Sequence, residues 1–330
     1  MNSLLKRLRS PSALRIVAAS LSLLATAAHS EEPYPSKPVR ILVGFSPGGS
    51  NDIVARLIAP RLAEALGKQV LIDNRPGAGG NIAADTMLKA PADGHTLMIC
   101  TTGMLSIQPF LQKMAYDPQT DIIPVSLIAN TPYIALVNAS LPVHNVKELV
   151  AYAKANPGKV NFASSGNGTA GHLAGEMLKL RAGINIVHVP YKGTGQAMTD
   201  LLGGQVSLIF DQPISSLPYA KSGKLRVLGV AATQRLKSLP DVPTFAEAGV
   251  PGFDPVAWTG LCAAKGTPSN VIARLQREIQ QVLHQPDIAQ RLSQDGMEVV
   301  ASSSEKFREF LITDKRKWSG VIKEANVTLN

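Results

Sequence analysis

Aromatic side chains are scarce in this chain, at 5% of 330 residues, which argues against a sugar receptor built on stacking platforms. Cysteine is scarcer still: Cys100 and Cys262 stand alone, without CxxC spacing, so a metal site is not expected. Both fall at or near the ends of expected strands. An oxidising compartment would let them pair, but two separate buried thiols is the expected arrangement. Basic charge never gathers into a stripe. The longest run, Lys315-Arg316-Lys317, lies on an expected helix and reads as a solvated face. Without interleaved aromatics it gives no footprint for nucleic acid. Beyond residue 30, no apolar stretch of spanning length runs free of charge or proline, so the mature protein is expected to be soluble.

What is present starts at the N-terminus. Lys6, Arg7, Arg9 and Arg15 form a basic end, Ile16 to Ala28 an apolar core, and Ala28-His29-Ser30 places small residues where a signal peptidase needs them. Residues 1–30 therefore read as a secretory signal removed near Ser30, which puts the product in the periplasm. A retained anchor is the rival reading, but the core falls short of the ~20 residues a spanning helix requires. Without the four basic residues of that segment, 29 basic side chains remain against 24 acidic ones, a net of +5. Such a balance helps attract anions. The remaining length, about 300 residues, exceeds a comfortable single core, so two lobes are expected.

The most informative stretch is residues 39–66. A buried-strand run (Val39, Ile41, Leu42, Val43) breaks into Ser46-Pro47-Gly48-Gly49-Ser50 and a helix with apolar residues at Ile53, Val54, Leu57, Ile58, Leu62 and Leu66, one stripe at helical spacing. A glycine turn between strand end and helix start leaves backbone N–H groups unpaired, with the positive end of the helix dipole behind them. That is an anion site built from main chain. Pro60 should kink this helix or fray the turn before it. The alternation continues with strands over 69–73 and 95–100 and a helix over 81–90. A second series follows: strands over 159–164, 185–189, 205–211 and 225–232, with helices over 169–181, 196–203 and 215–222 between them. Such alternation implies parallel sheets flanked by helices. The strand-like residues over 125–137 are broken by Pro132, and a further strand covers 256–263. Helices over 269–284, capped by Ser269, and one opening with Ser302-x-x-Glu305 close the chain.

Two motifs suggest enzymes and are set aside on physical grounds. Gly44-Phe45-Ser46-Pro47-Gly48 matches the G-x-S-x-G elbow of serine hydrolases. The oxyanion hole there needs the N–H of the residue after the serine, and Pro47 has none. Gly166-Asn167-Gly168-Thr169-Ala170-Gly171 matches the dinucleotide fingerprint. The acidic residue that should follow about 20 positions later is replaced by Val187-His188-Val189-Pro190-Tyr191-Lys192, so no cofactor is expected. His172 is read as a packing or helix-surface histidine rather than a base. Asp52 suits the first turn of its helix and Asp211 a turn, and each is also a candidate ligand residue. Lys192 is either solvated or aimed at an anion. Trp258 is either core or pocket wall.

A family likeness rests on several loops together. Phe45-x-Pro47-Gly48-Gly49-x-x-Asp52, Asn74-Arg75-Pro76-Gly77-Ala78-Gly79-Gly80, Ala92-Asp93-Gly94, Ser164-Ser165-Gly166-x-Gly168-Thr169-x-x-His172-Leu173, Tyr191-Lys192-Gly193, Asp200-Leu201-Leu202-Gly203-Gly204 and Leu239-Pro240-Asp241-Val242-Pro243-Thr244 occur in order. The chain resembles the periplasmic solute-binding proteins of tripartite tricarboxylate transporters, the Bug family. That resemblance implies an α/β, two-lobed, type II-like periplasmic-binding-protein fold, each lobe a mostly parallel sheet flanked by helices. Two crossing strands would join lobe one (31–131 plus 256–330) to lobe two (132–255). It implies a non-catalytic monomer that clamps a small carboxylate and delivers it to integral-membrane permease subunits. Carried over residue by residue, the site comprises Phe45, Ser46, Pro47, Gly48, Gly49, Asp52, Thr101, Thr102, Ser165, Gly166, Gly168, Thr169, Lys192, Gly193 and Asp211, with Trp258 added from its place in a crossing strand. Ser50-Asn51 stand where a Gly-Thr-type pair is usual, which alters the pocket floor. The alternatives are a ligand-sensing subunit for a receptor kinase and an exported hydrolase using Ser46.

Overall fold

The computed structural model describes residues 34–329. Residues 34–36 belong to a separate N-terminal unit, and the fold below begins at Lys37. The expected signal segment and its cut lie outside the described residues.

The alternation implied by the sequence is present. In chain order the first part runs β1 (Val39–Val43), α1 (Ser50–Leu66), β2 (Val70–Asn74), α2 (Asn81–Leu88), β3 (Thr96–Thr101), a π turn over Gly103–Ile107 and the short α3 (Gln108–Leu111). The long β4 (Ile122–Asn138) and α4 (Val146–Ala155) lead to the second series. This is β5 (Asn161–Ser164), α5 (Ala170–Ala182), β6 (Val187–Pro190), α6 (Thr194–Leu202), β7 (Leu208–Asp211), α7 (Pro213–Lys221) and β8 (Leu225–Ala231). The chain ends with β9 (Val256–Ala264), α8 (Ser269–Leu283), α9 (Pro286–Gln294), β10 (Glu298–Val299) and α10 (Ser304–Glu324).

Strand order across the sheet is β2-β1-β3-β9-β4-β7-β5-β6, with β8 and β10 also bonded to β4. Two parallel trios, β2-β1-β3 and β6-β5-β7, sit at the ends. The long strands between them run antiparallel to their neighbours. β4 is common to both halves: from Ile122 to Pro132 it pairs with β9, and from Tyr133 onward with β7 and β8. Pro132, expected to break this segment, sits instead inside an unbroken strand, at the point where β4 changes partners. Proline has no N–H to give a ladder, and the handover is where a missing donor disturbs least.

β4 shows how both faces are covered. Tyr133, Ala135 and Val137 join Phe162, Phe210 and Leu173 in one buried cluster. Ile134 and Leu136 join Ala163, Ile209 and Leu201 in another. The two-residue period of a strand sends alternate side chains to opposite layers. In the first half, Leu42, Met98, Trp258 and Phe307 form the corresponding core.

Several local expectations are corrected. Cys100 and Cys262 are not separate thiols but a disulfide. β3 and β9 are antiparallel neighbours with Met98 opposite Cys262 and Cys100 opposite Gly260, which brings the two Cα atoms to 5.9 Å. Ser302 does not cap the last helix, because its hydroxyl accepts from the Leu127 N–H; Ser303 caps it, accepting from the Lys306 N–H at 3.2 Å. Ser269 is the first residue of α8 rather than its cap. α1 continues through Pro60 to Leu66.

Candidate functional site

Two small adjoining cavities of about 30 Å³ each lie where the halves meet. Phe45, Asn51, Tyr133, Ser165 and Gln212 line both. Thr101, Thr102, Thr169 and Trp258 add to the first, and Gly49, Ser50, Thr194 and Asp211 to the second. Many of these positions share one property. Gly49, Ser50 and Asn51 are the cap and first turn of α1, and Thr169 and Ala170 those of α5. Thr194 opens α6, and Gln212 caps α7. Four helices therefore present their positive ends to the same small space. No lysine or arginine lines either cavity.

The loop that starts α1 is held from behind. The Asp52 carboxylate accepts from the Gly48 N–H at 3.0 Å, the Asn74 amide at 2.9 Å and the Arg56 guanidinium at 2.9 Å. Burial alone would raise its pKa, but these bonds outweigh burial and hold it below the usual carboxylate range. Asp52 thus fixes the loop and does not line the cavities. Trp258 is wall and core at once. It packs edge-on against Phe307, donates its indole N–H to Asp314 at 2.6 Å, and gives its backbone N–H to the Thr102 hydroxyl at 2.8 Å.

Asp211 is the one carboxylate in the lining and is 1% exposed. Desolvation pushes its pKa up to about 6 although Ser215, Ser216 and the Gln212 N–H donate to it. Ser215 in turn meets Ser50 across the cleft at 2.7 Å. Beside this chain the Gln212 carbonyl oxygen Oε1 is buried without a hydrogen-bond partner.

In this conformation the first loop and the loop before α6 interlock. The Ser46 N–H donates to the Lys192 carbonyl at 3.1 Å, joining the first loop to the loop before α6. A Cβ on Gly193 would lie 2.5 Å from the Ser46 nitrogen, and one on Gly195 would strike the Pro47 carbonyl oxygen. Only residues without a side chain permit that approach.

Of the residues taken from the sequence, Phe45, Gly49, Thr101, Thr102, Ser165, Thr169, Asp211 and Trp258 are brought together around the cavities. Ser46 and Gly193 lie in the interlocked loops. Pro47 and Gly48 are exposed at the loop's tip. Gly166 and Gly168 shape the loop before α5, where the Gly168 N–H donates to His172 Nδ1 at 3.2 Å. Lys192 is exposed and borders a separate outer cavity with Ala78, Gly79 and Gly166. His172 is buried and stacked on His188 with ring centroids 4.0 Å apart, and burial lowers its pKa, so it packs and holds a loop. The Ser46 hydroxyl is buried with no hydrogen-bond partner among the described residues. Among the described residues no group of three or more His, Cys, Asp or Glu is placed to hold a metal.

Tyr133, Thr194 and Gln212 were missed from the sequence. Gln212 had a signal: Pro213 behind it is a natural first helical residue, which makes Gln212 a cap.

The family described as "Tripartite tricarboxylate transporter family receptor" matches residues 54–327. Protein BugT of Bordetella pertussis is 35% identical over 305 residues, covering 91% of this chain and 93% of that protein. Among solved structures, R. palustris Rpa4515 with adipate is 37% identical, with a TM-score of 0.87 over 89% of this chain and 99% of that one. The periplasmic binding protein BugD is 35% identical, with a TM-score of 0.86 over 89% and 99% respectively.

Proposed function

The chain belongs to the tripartite tricarboxylate transporter receptor family, and from that premise we propose that it is a periplasmic receptor that closes on a small carboxylate and passes it to the membrane permease of such a transporter. The observation that carries this reading is the set of four helix N-termini facing cavities that contain no cationic side chain. An anion there is held by main-chain N–H groups and hydroxyls, as helix ends hold phosphates and carboxylates elsewhere. The adipate carried by the R. palustris relative supports the same ligand class.

The cavities of this conformation are smaller than a dicarboxylate such as adipate, so the halves part to admit the ligand and come together around it less tightly than they do here. The change of partners within β4 at Pro132–Tyr133 and the start of β9 at Val256 favour lobes of 31–131 plus 256–330 and 132–255. The binding set proposed is the lining of both cavities, with Ser46, Gly193 and the loops around Gly166 and Gly168 as the closing surfaces. Export by residues 1–30 places the receptor in the periplasm.

The test is a thermal-shift panel on protein stripped of carried-over ligand. A ligand at 100 times its Kd stabilises the fold by about 2.7 kcal/mol, and each kcal/mol moves the midpoint by about 2–4 °C at this size. One or a few small mono-, di- or tricarboxylates should raise Tm by several degrees, while their amides and methyl esters leave it unchanged. A robust shift with a neutral sugar and none across the acids would overturn the reading.

A further inference from the structure

A second site lies away from the cleft. Between α10 and the segment over 118–124 the surface folds into a groove of about 640 Å³, a size typical of small-molecule sites. Its floor is apolar: Ile122, Pro124 and Leu311 are buried there. Its walls include Phe110 and Ile312, which are 48% and 56% exposed, unusual for side chains of that size.

The helical wall has a regular pattern. Arg308, Leu311, Ile312, Lys315, Arg316 and Ser319 all line the groove, and their spacing of three and four residues makes them one stripe of α10. Cations and apolar residues alternate along that stripe. The acids of the same helix fall elsewhere: Glu305, Glu309 and Glu324 do not line the groove, and Asp314 is turned inward to Trp258. No acidic residue lines the groove at all. Arg308, Lys315 and Arg316 take part in none of the ion pairs found among the described residues, whereas the next residue, Lys317, reaches Asp254. Burial lowers the pKa of Lys315 even against the pull of Asp117, so its ammonium sits where an anion would relieve a desolvation cost.

We propose that this groove is a binding site for an amphipathic carboxylate, its chain on the Ile122–Leu311 floor between Phe110 and Ile312 and its carboxylate among Arg308, Lys315 and Arg316. The charge pattern selects an anion and the floor selects an acyl or aryl body. The site is independent of the cleft and does not rest on the cleft's ligand.

The test uses decanoate below its micellar concentration, with decanol as the neutral control, titrated by calorimetry into the purified protein. Decanoate should bind one to one, and decanol at least tenfold more weakly. Arg308→Glu combined with Lys315→Glu should weaken decanoate at least tenfold, as should Ile312→Asp. All three positions are at least partly solvent-facing, and an unchanged circular-dichroism spectrum with a retained cooperative thermal transition shows that the variants remain folded. Three results would overturn the proposal: no binding of decanoate, binding that survives the groove variants, or decanol binding as tightly. An acidic apolar peptide that occupies the groove when decanoate does not would overturn it equally.

Discussion

Ser50 and Ser215 meet hydroxyl to hydroxyl at 2.7 Å, one at the start of α1 and the other in α7, across the cleft. Ser215 has a single hydroxyl proton, and the Asp211 carboxylate is its strongest acceptor. Ser50 is therefore the donor to Ser215, and the contact joins the two halves. Ser50→Ala should remove one hydrogen bond of about 0.5–1.5 kcal/mol, weakening ligand binding about two- to tenfold. In a double-mutant cycle with Ser215→Ala the effects should be non-additive. Additive effects in calorimetric Kd values would separate the two residues energetically.

The glycines of the loop before α6 set how closely the halves approach. Gly193 has φ +148°, and both it and Gly195 abut the Ser46–Pro47 backbone with no room for a Cβ. Gly195→Ala and Gly193→Val should leave the protein folded but unable to close. The expected readout is a loss of ligand binding of at least tenfold together with a ligand-independent radius of gyration in small-angle scattering. Ser46→Ala, by contrast, removes a hydroxyl that has no partner and should change binding little.

Asp211 gives the site a pH dependence. Desolvation pushes its pKa up to about 6, and a ligand carboxylate nearby would raise it further. Binding then takes up a proton. The favourable contribution is complete below about pH 6 and is lost as pH rises through the bound-state value, by at most tenfold per pH unit. Affinity should accordingly be weaker at pH 8 than at pH 6, with proton uptake visible as a buffer-dependent enthalpy. Asp211→Asn should flatten the profile, and an unchanged slope in that variant would remove Asp211 from the account.

The Cys100–Cys262 bridge joins β3 to β9 within one half, across 162 residues of sequence. Closing so long a loop restricts the unfolded chain, typically by about 2–4 kcal/mol. Cys100→Ala with Cys262→Ala should lower Tm on the order of 5–10 °C while the ligand profile stays the same, since neither cysteine lines the two site cavities.

The parallel trios and most helices were legible because strand runs and helical stripes are local patterns. The first anion loop was legible for the same reason, as a glycine turn between two such patterns. What was hidden depends on pairing across the chain. Cys100 and Cys262 looked separate because nothing local says that β3 and β9 are neighbours. Pro132 looked like a break because its tolerance depends on where β4 changes partners. Gln212 and Tyr133 reach the cavities only through the fold's closure, although Pro213 marked the start of α7 in advance. Lys192, the one cation among the site residues carried over from the family loops, lies outside the cavities because its carbonyl, and not its ammonium, meets the first loop.

The most direct measurement is a crystal structure of the protein with the carboxylate that gives the largest thermal shift. The expected result is a closed molecule in which the carboxylate oxygens accept from N–H groups at the starts of α1 and α5 and from neighbouring hydroxyls, with no lysine or arginine within salt-bridge distance. A ligand held by a cationic side chain, or bound elsewhere than between Phe45, Ser165 and Gln212, would contradict the helix-end clamp.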